Sequence, residues 1–148
     1  YLELEITETV LMKNAEPDID ALQALSDMGM RFAIDDFGTG YSSLTYLKRF
    51  PINILKIDKA FVHDITSNAD DAAIVRAIIT MAHSLNMKTV AEGVETREQL
   101  DFLRTQGCDY AQGYYFSPPL SGPEIEHLMK MNLPLDTLNR VQDVIHTD

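Results

Sequence analysis

Apolar and polar positions follow two different periods along this chain. Leu2, Leu4 and Ile6 alternate with Glu3 and Glu5, the two-residue period of a half-buried strand. Over residues 17–28 the period lengthens. Ile19, Leu22, Leu25 and Met28 recur every third position and predict a helix, with Pro17 and Asp18 suited to its first turn and Gly29 to its stop. A strand is expected over residues 30–34, running into Asp35-Asp36-Phe37-Gly38-Thr39-Gly40. A helix over 42–50 is stopped by Pro51, and a strand over 52–57 ends at Asp58. Residues 70–85 predict the clearest helix, with Ile74, Ala77, Ile78, Met81, Ala82 and Leu85 as its stripe. A strand over 87–91 ends at Glu92. Thr96 then caps a helix reaching Gln106, with Gly107 as its stop. A short strand over 109–111 ends at Gln112, and a helix is expected over 122–131. Leu135, Leu138, Val141 and Ile145 give the tail, residues 132–148, the spacing of a docking or connecting helix.

Repeated strand-then-helix units imply parallel strands joined by right-handed crossovers, in an open doubly wound sheet or a barrel. No Gly-x-Gly-x-x-Gly follows any strand, so a dinucleotide-binding fold gains no support. The length, 148 residues, suits one domain. The chain opens without Met and directly on a strand, so it is expected to be a fragment of a larger protein. No apolar run is long enough for a membrane span, and no membrane contact is expected from this segment. A lone cysteine, Cys108, excludes an internal disulfide and a cysteine zinc cluster. It fits a reducing, cytoplasmic compartment, even for a parent protein anchored in a membrane. The net charge of −11 argues against a DNA or RNA partner, which needs a basic face. An anionic small substrate remains compatible if a bound cation reverses the local sign.

Carboxylates gather at the ends of the strands. Glu5 closes the first, Asp35 and Asp36 the second, Lys56 and Asp58 the third, Glu92 the fourth, and Gln112 the fifth. In a parallel barrel the carboxyl ends of all strands share one rim, where catalysis is found. Carboxylates brought together there repel one another unless a cation neutralises them. Oxygen donors without a cysteine or histidine cluster point to Mg²⁺ or Mn²⁺ rather than zinc. Adjacent aspartates suit a two-metal site for phosphoester hydrolysis, with Lys56 to orient a water or neutralise a phosphate oxygen. Taken singly, Asp58 or Glu92 reads equally well as a helix N-cap, and Asp35 or Asp36 as an Asx turn. The coincidence of several strand ends favours the site. His63, His83, His127 and His146 fall on helices or their flanks and read as structural or surface residues. Cys108 reads as a small buried filler. Phe116, in the aromatic cluster with Tyr110, Tyr114 and Tyr115, is a candidate for stacking on a base.

The run Asp35-Asp36-Phe37-Gly38-Thr39-Gly40-Tyr41-Ser42-Ser43-Leu44 resembles the EAL-domain family, the phosphodiesterases of cyclic di-GMP. Leu4-Glu5-Ile6-Thr7-Glu8, Leu55-Lys56-Ile57-Asp58, Ala91-Glu92-Gly93-Val94-Glu95 and Gln112-Gly113-Tyr114-Tyr115-Phe116-Ser117 continue the similarity in order. The resemblance implies a (β/α)₈ TIM-like barrel, of which this chain holds the last five βα units over residues 1–131. It implies hydrolysis of cyclic di-GMP to linear pGpG, or, as the alternative, a receptor that binds without turnover. Glu5, Asp35, Asp36 and Glu92 become metal ligands by this resemblance, with Asp35 bridging two ions. Lys56 holds the attacking water, and Glu92 is the candidate general base. Glu95 and Gln112 complete the water and substrate network. Glu8 pins the loop of Phe37, Gly38, Thr39, Gly40, Tyr41 and Ser42, which links the site to a dimer interface. Pro118 departs from the family's basic residue before Pro119. The Glu-Ala-Leu signature and an asparagine ligand lie upstream of these motifs, and a whole barrel needs about 250 residues. The fragment alone is therefore expected to be inactive, or completed by a homodimer or a domain-swapped copy. An upstream sensor or cyclase-like domain is expected in the parent protein.

Overall fold

The computed structural model describes residues 2–13, 15–38 and 47–130. Its elements run β1 (Glu3–Thr7), α1 (Glu8–Lys13), α2 (Ala15–Asp27), β2 (Arg31–Phe37), β3 (Ile54–Ile57), α3 (Lys59–His63), α4 (Ala69–Ser84), β4 (Lys88–Ala91), α5 (Arg97–Thr105), β5 (Tyr110–Ala111) and α6 (Gly122–Lys130). The five strands form one sheet in the order β1-β2-β3-β4-β5, and every neighbouring pair is parallel. Sequential order with parallel pairing is what right-handed βαβ crossovers produce. All carboxyl ends of the strands therefore lie along one edge of the sheet.

One face of the sheet is buried under helices. Phe32 and Ile34 of β2, Leu55 and Ile57 of β3 and Ala91 of β4 join Val75, Ile78, Ile79 and Ala82 of α4 and Leu100 and Leu103 of α5 in a single core. The buried stripe of α4 is Ala72, Val75, Ile78, Ile79 and Ala82, whereas Ile74 is 38% exposed and Ala77 faces solvent. The expected stripe was rotated by part of a turn. Ile78 and Ala82 belong to both stripes, and Ala72, Val75 and Ile79 take the places expected of Ile74 and Ala77. Met81 and Leu85 pack at the edge of the same core. Thr96 caps α5 as expected, in a capping box with Gln99. Two short helices, α1 and α3, were not expected. Each is too short for periodicity to register. β2 runs through Asp35 and Asp36 to Phe37, three residues beyond the expected end. Residues 42–46 of the helix expected over 42–50 and the tail over 132–148 lie outside the described residues, and of the remaining four, Leu47 and Phe50 are buried in the core.

The amino-terminal edge of the sheet is held by a polar knot. Asp109 accepts from Lys88 Nζ (2.6 Å), His83 Nε2 (2.8 Å), Thr89 N (3.0 Å) and Thr89 Oγ1 (3.0 Å). Burial pushes the Asp109 carboxyl up, but the bonds from Lys88, His83 and Thr89 outweigh it and hold the group well below the usual carboxylate range. His83 thus has the structural part expected of it. Cys108, half-buried, donates its thiol to Tyr110 O at 3.2 Å, and burial pushes that thiol up. Asp109→Ala strands the donors of Thr89, a residue with no solvent exposure. The expected cost is about 2–3 kcal/mol in chemical denaturation at neutral pH. Because the folded pKa is depressed, this contribution is present above about pH 4 and is lost as pH falls further. The gap between wild type and variant should close in that acid range. A gap independent of pH would contradict the assignment.

Candidate active site

Strand alternation sorts the site residues. Leu4, Ile6, Phe32, Ile34, Leu55, Ile57 and Ala91 turn to the helix-covered core. The intervening positions turn to the other face. Register places Glu5 beside Ala33, Thr7 beside Asp35, and Lys56 beside Val90. Glu5, Asp35, Lys56 and Glu92 therefore emerge together at the carboxyl edge of that face.

Lys56 is their common partner. Its Nζ lies 2.9 Å from Glu5 Oε1, 3.0 Å from Asp35 Oδ1 and 2.8 Å from Glu92 Oε1. An ammonium has three protons to donate, and each has an acceptor here. The side chain is only 9% exposed. Burial pushes its pKa down, but the hydrogen bonds it donates to Glu92, Glu5 and Asp35 outweigh that and hold it well above the ordinary lysine value. Lys56 is a fixed cation at any physiological pH.

Two adjacent strand residues normally point to opposite faces, so Asp35 and Asp36 should diverge. They do not. The β2–β3 register shifts between Ile34 and Phe37, and Asp36 adopts φ 54°. Aspartate tolerates this left-handed conformation better than most residues, and the Asp36 N–H donates to Asp35 Oδ1 at 3.1 Å. The irregularity brings the carboxylates of Asp35, Asp36 and Glu92 together, with one oxygen of each within 4.8 Å of the others. Desolvation, then the carboxylates of Asp35, Asp58 and Glu92, push the Asp36 carboxyl above its usual range. Crowded carboxylates offering only oxygen donors fit a hard divalent cation. Glu5 stands outside this trio and is joined to it through Lys56.

Asp58 has two parts. It caps α3, accepting from Ala60 N at 2.6 Å, which is the plain helix-cap role weighed for it. Its carboxylate is also among the charges that push the Asp36 carboxyl up, which makes it a member of the site omitted from the expected ligands. Its position at a strand end was the signal. Glu8 is 2% exposed, and its Oε2 accepts from Gly38 N at 3.0 Å, at the start of the loop after the Asp-Asp pair. Phe37 is buried behind that pair. Thr39, Gly40, Tyr41 and Ser42 lie outside the described residues. Glu95 is exposed, three residues beyond Glu92, and does not join the carboxylate cluster. Gln112 donates its backbone N–H to Ala91 O at 2.8 Å, which brings the β5 end alongside Glu92. Phe116 is half-buried and meets the Tyr115 ring edge-on at 5.3 Å.

Comparison with known proteins gives the family of the chain. The sequence model of the EAL domain matches residues 1–119. The cyclic di-GMP phosphodiesterase NbdA of Pseudomonas aeruginosa is 49% identical over 130 residues, which are 88% of this chain and 17% of NbdA. The structure of the MucR phosphodiesterase of the same organism in complex with c-di-GMP matches with a TM-score of 0.81 at 48% identity, covering 84% of this chain and 50% of that one. The manganese and cyclic di-GMP complex of Klebsiella pneumoniae BlrP1 matches with a TM-score of 0.73 at 39% identity, covering 79% of this chain and 30% of that one. The chain thus spans less than a fifth of the length of the curated relatives it matches. Its five parallel strands are part of the TIM-like barrel of those solved domains. The chain belongs to the EAL domain family.

Proposed function

We propose that this chain supplies the acidic rim of a divalent-metal phosphodiesterase site that hydrolyses cyclic di-GMP to linear pGpG. One observation carries the proposal: a buried ammonium is surrounded by Glu5, Asp35 and Glu92, beside a carboxylate trio of Asp35, Asp36 and Glu92. The names of NbdA and MucR give the substrate class. Asp35, Asp36 and Glu92, with Glu5 at their flank, would hold Mg²⁺ or Mn²⁺. Such a cation polarises a phosphate and lowers the pKa of a bound water. Lys56 neutralises negative charge developing on the phosphate and orients the attacking water. Glu92 accepts that water's proton as the 3′-oxygen leaves. Glu95 and Gln112 extend the polar rim toward the substrate, with Phe116 at its apolar margin. β1 and β5, the edge strands of the sheet, have no further partner among the described residues. This supports completion by more barrel strands or by a second copy, as a homodimer or a domain swap. No helix among the described residues is long and apolar enough to cross a membrane, which is compatible with cytoplasmic action on a cytoplasmic nucleotide.

The test is turnover of cyclic di-GMP by the full-length protein with Mg²⁺ or Mn²⁺, with pGpG quantified by chromatography. Metal-dependent product supports the proposal. Tight binding without product replaces it with a receptor, and neither binding nor product overturns both. Glu8→Ala removes the acceptor of the Gly38 N–H without touching a ligand. It should lower the rate about tenfold, the scale of lost outer support at a metal site. An unchanged rate would remove Glu8 from the scheme.

A further inference from the structure

Gln99 sits on α5, away from the carboxylates, and is 4% exposed. Every polar atom of its side chain is engaged. Oε1 accepts from Glu95 N at 2.7 Å and from Thr96 N at 3.0 Å. Nε2 donates to His63 O at 2.9 Å, across 36 positions of sequence. A capping box explains the bond to Thr96. It explains neither the bond to Glu95, which lies outside the helix, nor the bond to His63.

These two bonds join the segments that carry the site. His63 ends α3, whose last carbonyls have no partner within the helix. The other end of α3 is capped by Asp58, two residues beyond Lys56. Glu95 ends the stretch that begins at Glu92. That stretch also rests on α3 at Gly93, where φ is +68° and a Cβ would come within 2.6 Å of Lys59 Cβ. Its other side is fixed to the β5 end, through Val94 N to Gln112 O (3.0 Å) and Tyr115 N to Val94 O (2.9 Å). The stretch is thus clamped at Gly93 and Val94, and Gln99 closes its far end onto α3.

We infer that Gln99 is a positioning residue, which sets the Glu92–Glu95 stretch against the segment bearing Lys56 and Asp58. The inference rests on the phosphodiesterase proposal for its catalytic consequence, but its geometry is independent of it. A buried amide with three satisfied bonds holds one register, whereas an apolar side chain there leaves the Glu95 and Thr96 N–H groups and the His63 carbonyl unpaired. Glu92 then wanders relative to Lys56 while the strands stay in place.

The experiment compares Gln99→Leu with wild type in the full-length protein. Loss of outer support at a metal site typically costs about 10- to 100-fold in metal affinity or activity. Gln99→Leu should lower kcat within that range, leave KM for cyclic di-GMP within about twofold, and weaken Mn²⁺ binding in calorimetric titration. Amide exchange should rise over residues 92–96 and stay unchanged in β2 and β3. Gln99→Glu keeps the acceptor for Glu95 and Thr96 and turns the donor to His63 into an oxygen that its carbonyl repels, so the break is confined to the α3 contact. It should show a smaller fall in kcat, and it provides the comparison if Gln99→Leu does not fold. A fall confined to thermal stability, with kcat and Mn²⁺ affinity unchanged, overturns the inference. If the wild type binds Mn²⁺ but hydrolyses nothing, the phosphodiesterase proposal falls. Mn²⁺ affinity then decides this inference alone: weakening supports it, and equality with wild type overturns it.

Discussion

Asp35→Asn is expected to lower turnover of cyclic di-GMP about a thousandfold while leaving the metal-free protein as stable as wild type. The two halves of this expectation have different causes. Asparagine keeps the shape of the side chain and an oxygen able to accept from Lys56 Nζ and from Asp36 N. It removes one negative charge from a trio whose oxygens lie within 4.8 Å of one another. In the absence of metal that charge is in part a liability, since Asp35 is among the groups that push the Asp36 carboxyl up. The lost attraction to Lys56 and the relieved repulsion on Asp36 oppose one another, and a net change within about 1 kcal/mol follows. With metal the balance reverses. Lewis-acid stabilisation of the phosphate supplies several kcal/mol, and each 1.36 kcal/mol is about tenfold in rate. Steady-state turnover with Mg²⁺ or Mn²⁺ and melting in chelator check both halves. A near-native rate, or a strongly destabilised metal-free variant, would remove Asp35 from the ligand set.

What the sequence made legible, and what it did not, follows from the range of the interactions involved. The parallel order of strands and the carboxylates at their ends are local signals: period, turn residues and a polar residue after each apolar run. Glu5, Asp35, Asp36, Lys56 and Glu92 were readable in that way, and the family resemblance added roles to them. The convergence of Asp35 and Asp36 was not readable. It depends on a register shift between β2 and β3 and a left-handed Asp36, and a strand read by its period puts those side chains on opposite faces. The misplaced stripe of α4 has a similar origin, because which of two overlapping apolar stripes is buried depends on where the sheet lies against the helix. Gln99 carried no expectation beyond its place in the helix that Thr96 caps, and only the fold brings His63 to its side chain. Asp58 was weighed as a cap, and it is one. Its second part, as a charge that pushes the Asp36 carboxyl up, required the pairing of β2 with β3.

Lys56→Met is expected to be the most damaging single change for stability in the absence of metal. The methionine fills nearly the same volume but leaves Glu5, Asp35 and Glu92, each now within about 3 Å of the ammonium, with no cation between them. Removing one partner of a buried ionic cluster costs about 3–5 kcal/mol. Glu5 is 51% exposed and can turn to water, which places the expected cost near the lower end, about 3 kcal/mol. The pH dependence has a definite sign. The folded pKa of Lys56 is raised above its unfolded value, so the stabilisation is complete below about pH 10.5 and is lost as pH climbs through the folded pKa. Urea unfolding should therefore show a full gap between wild type and variant at pH 7, narrowing above about pH 10.5. Added Mn²⁺ should raise the melting temperature of the variant more than that of wild type, because the cation meets carboxylates that no ammonium already occupies and stabilises by mass action. Turnover should not return with it, since the charge that faces the phosphate is missing. A variant that melts with wild type in chelator, or gains no more than wild type from Mn²⁺, would show that Lys56 is not the counter-ion that holds this rim together.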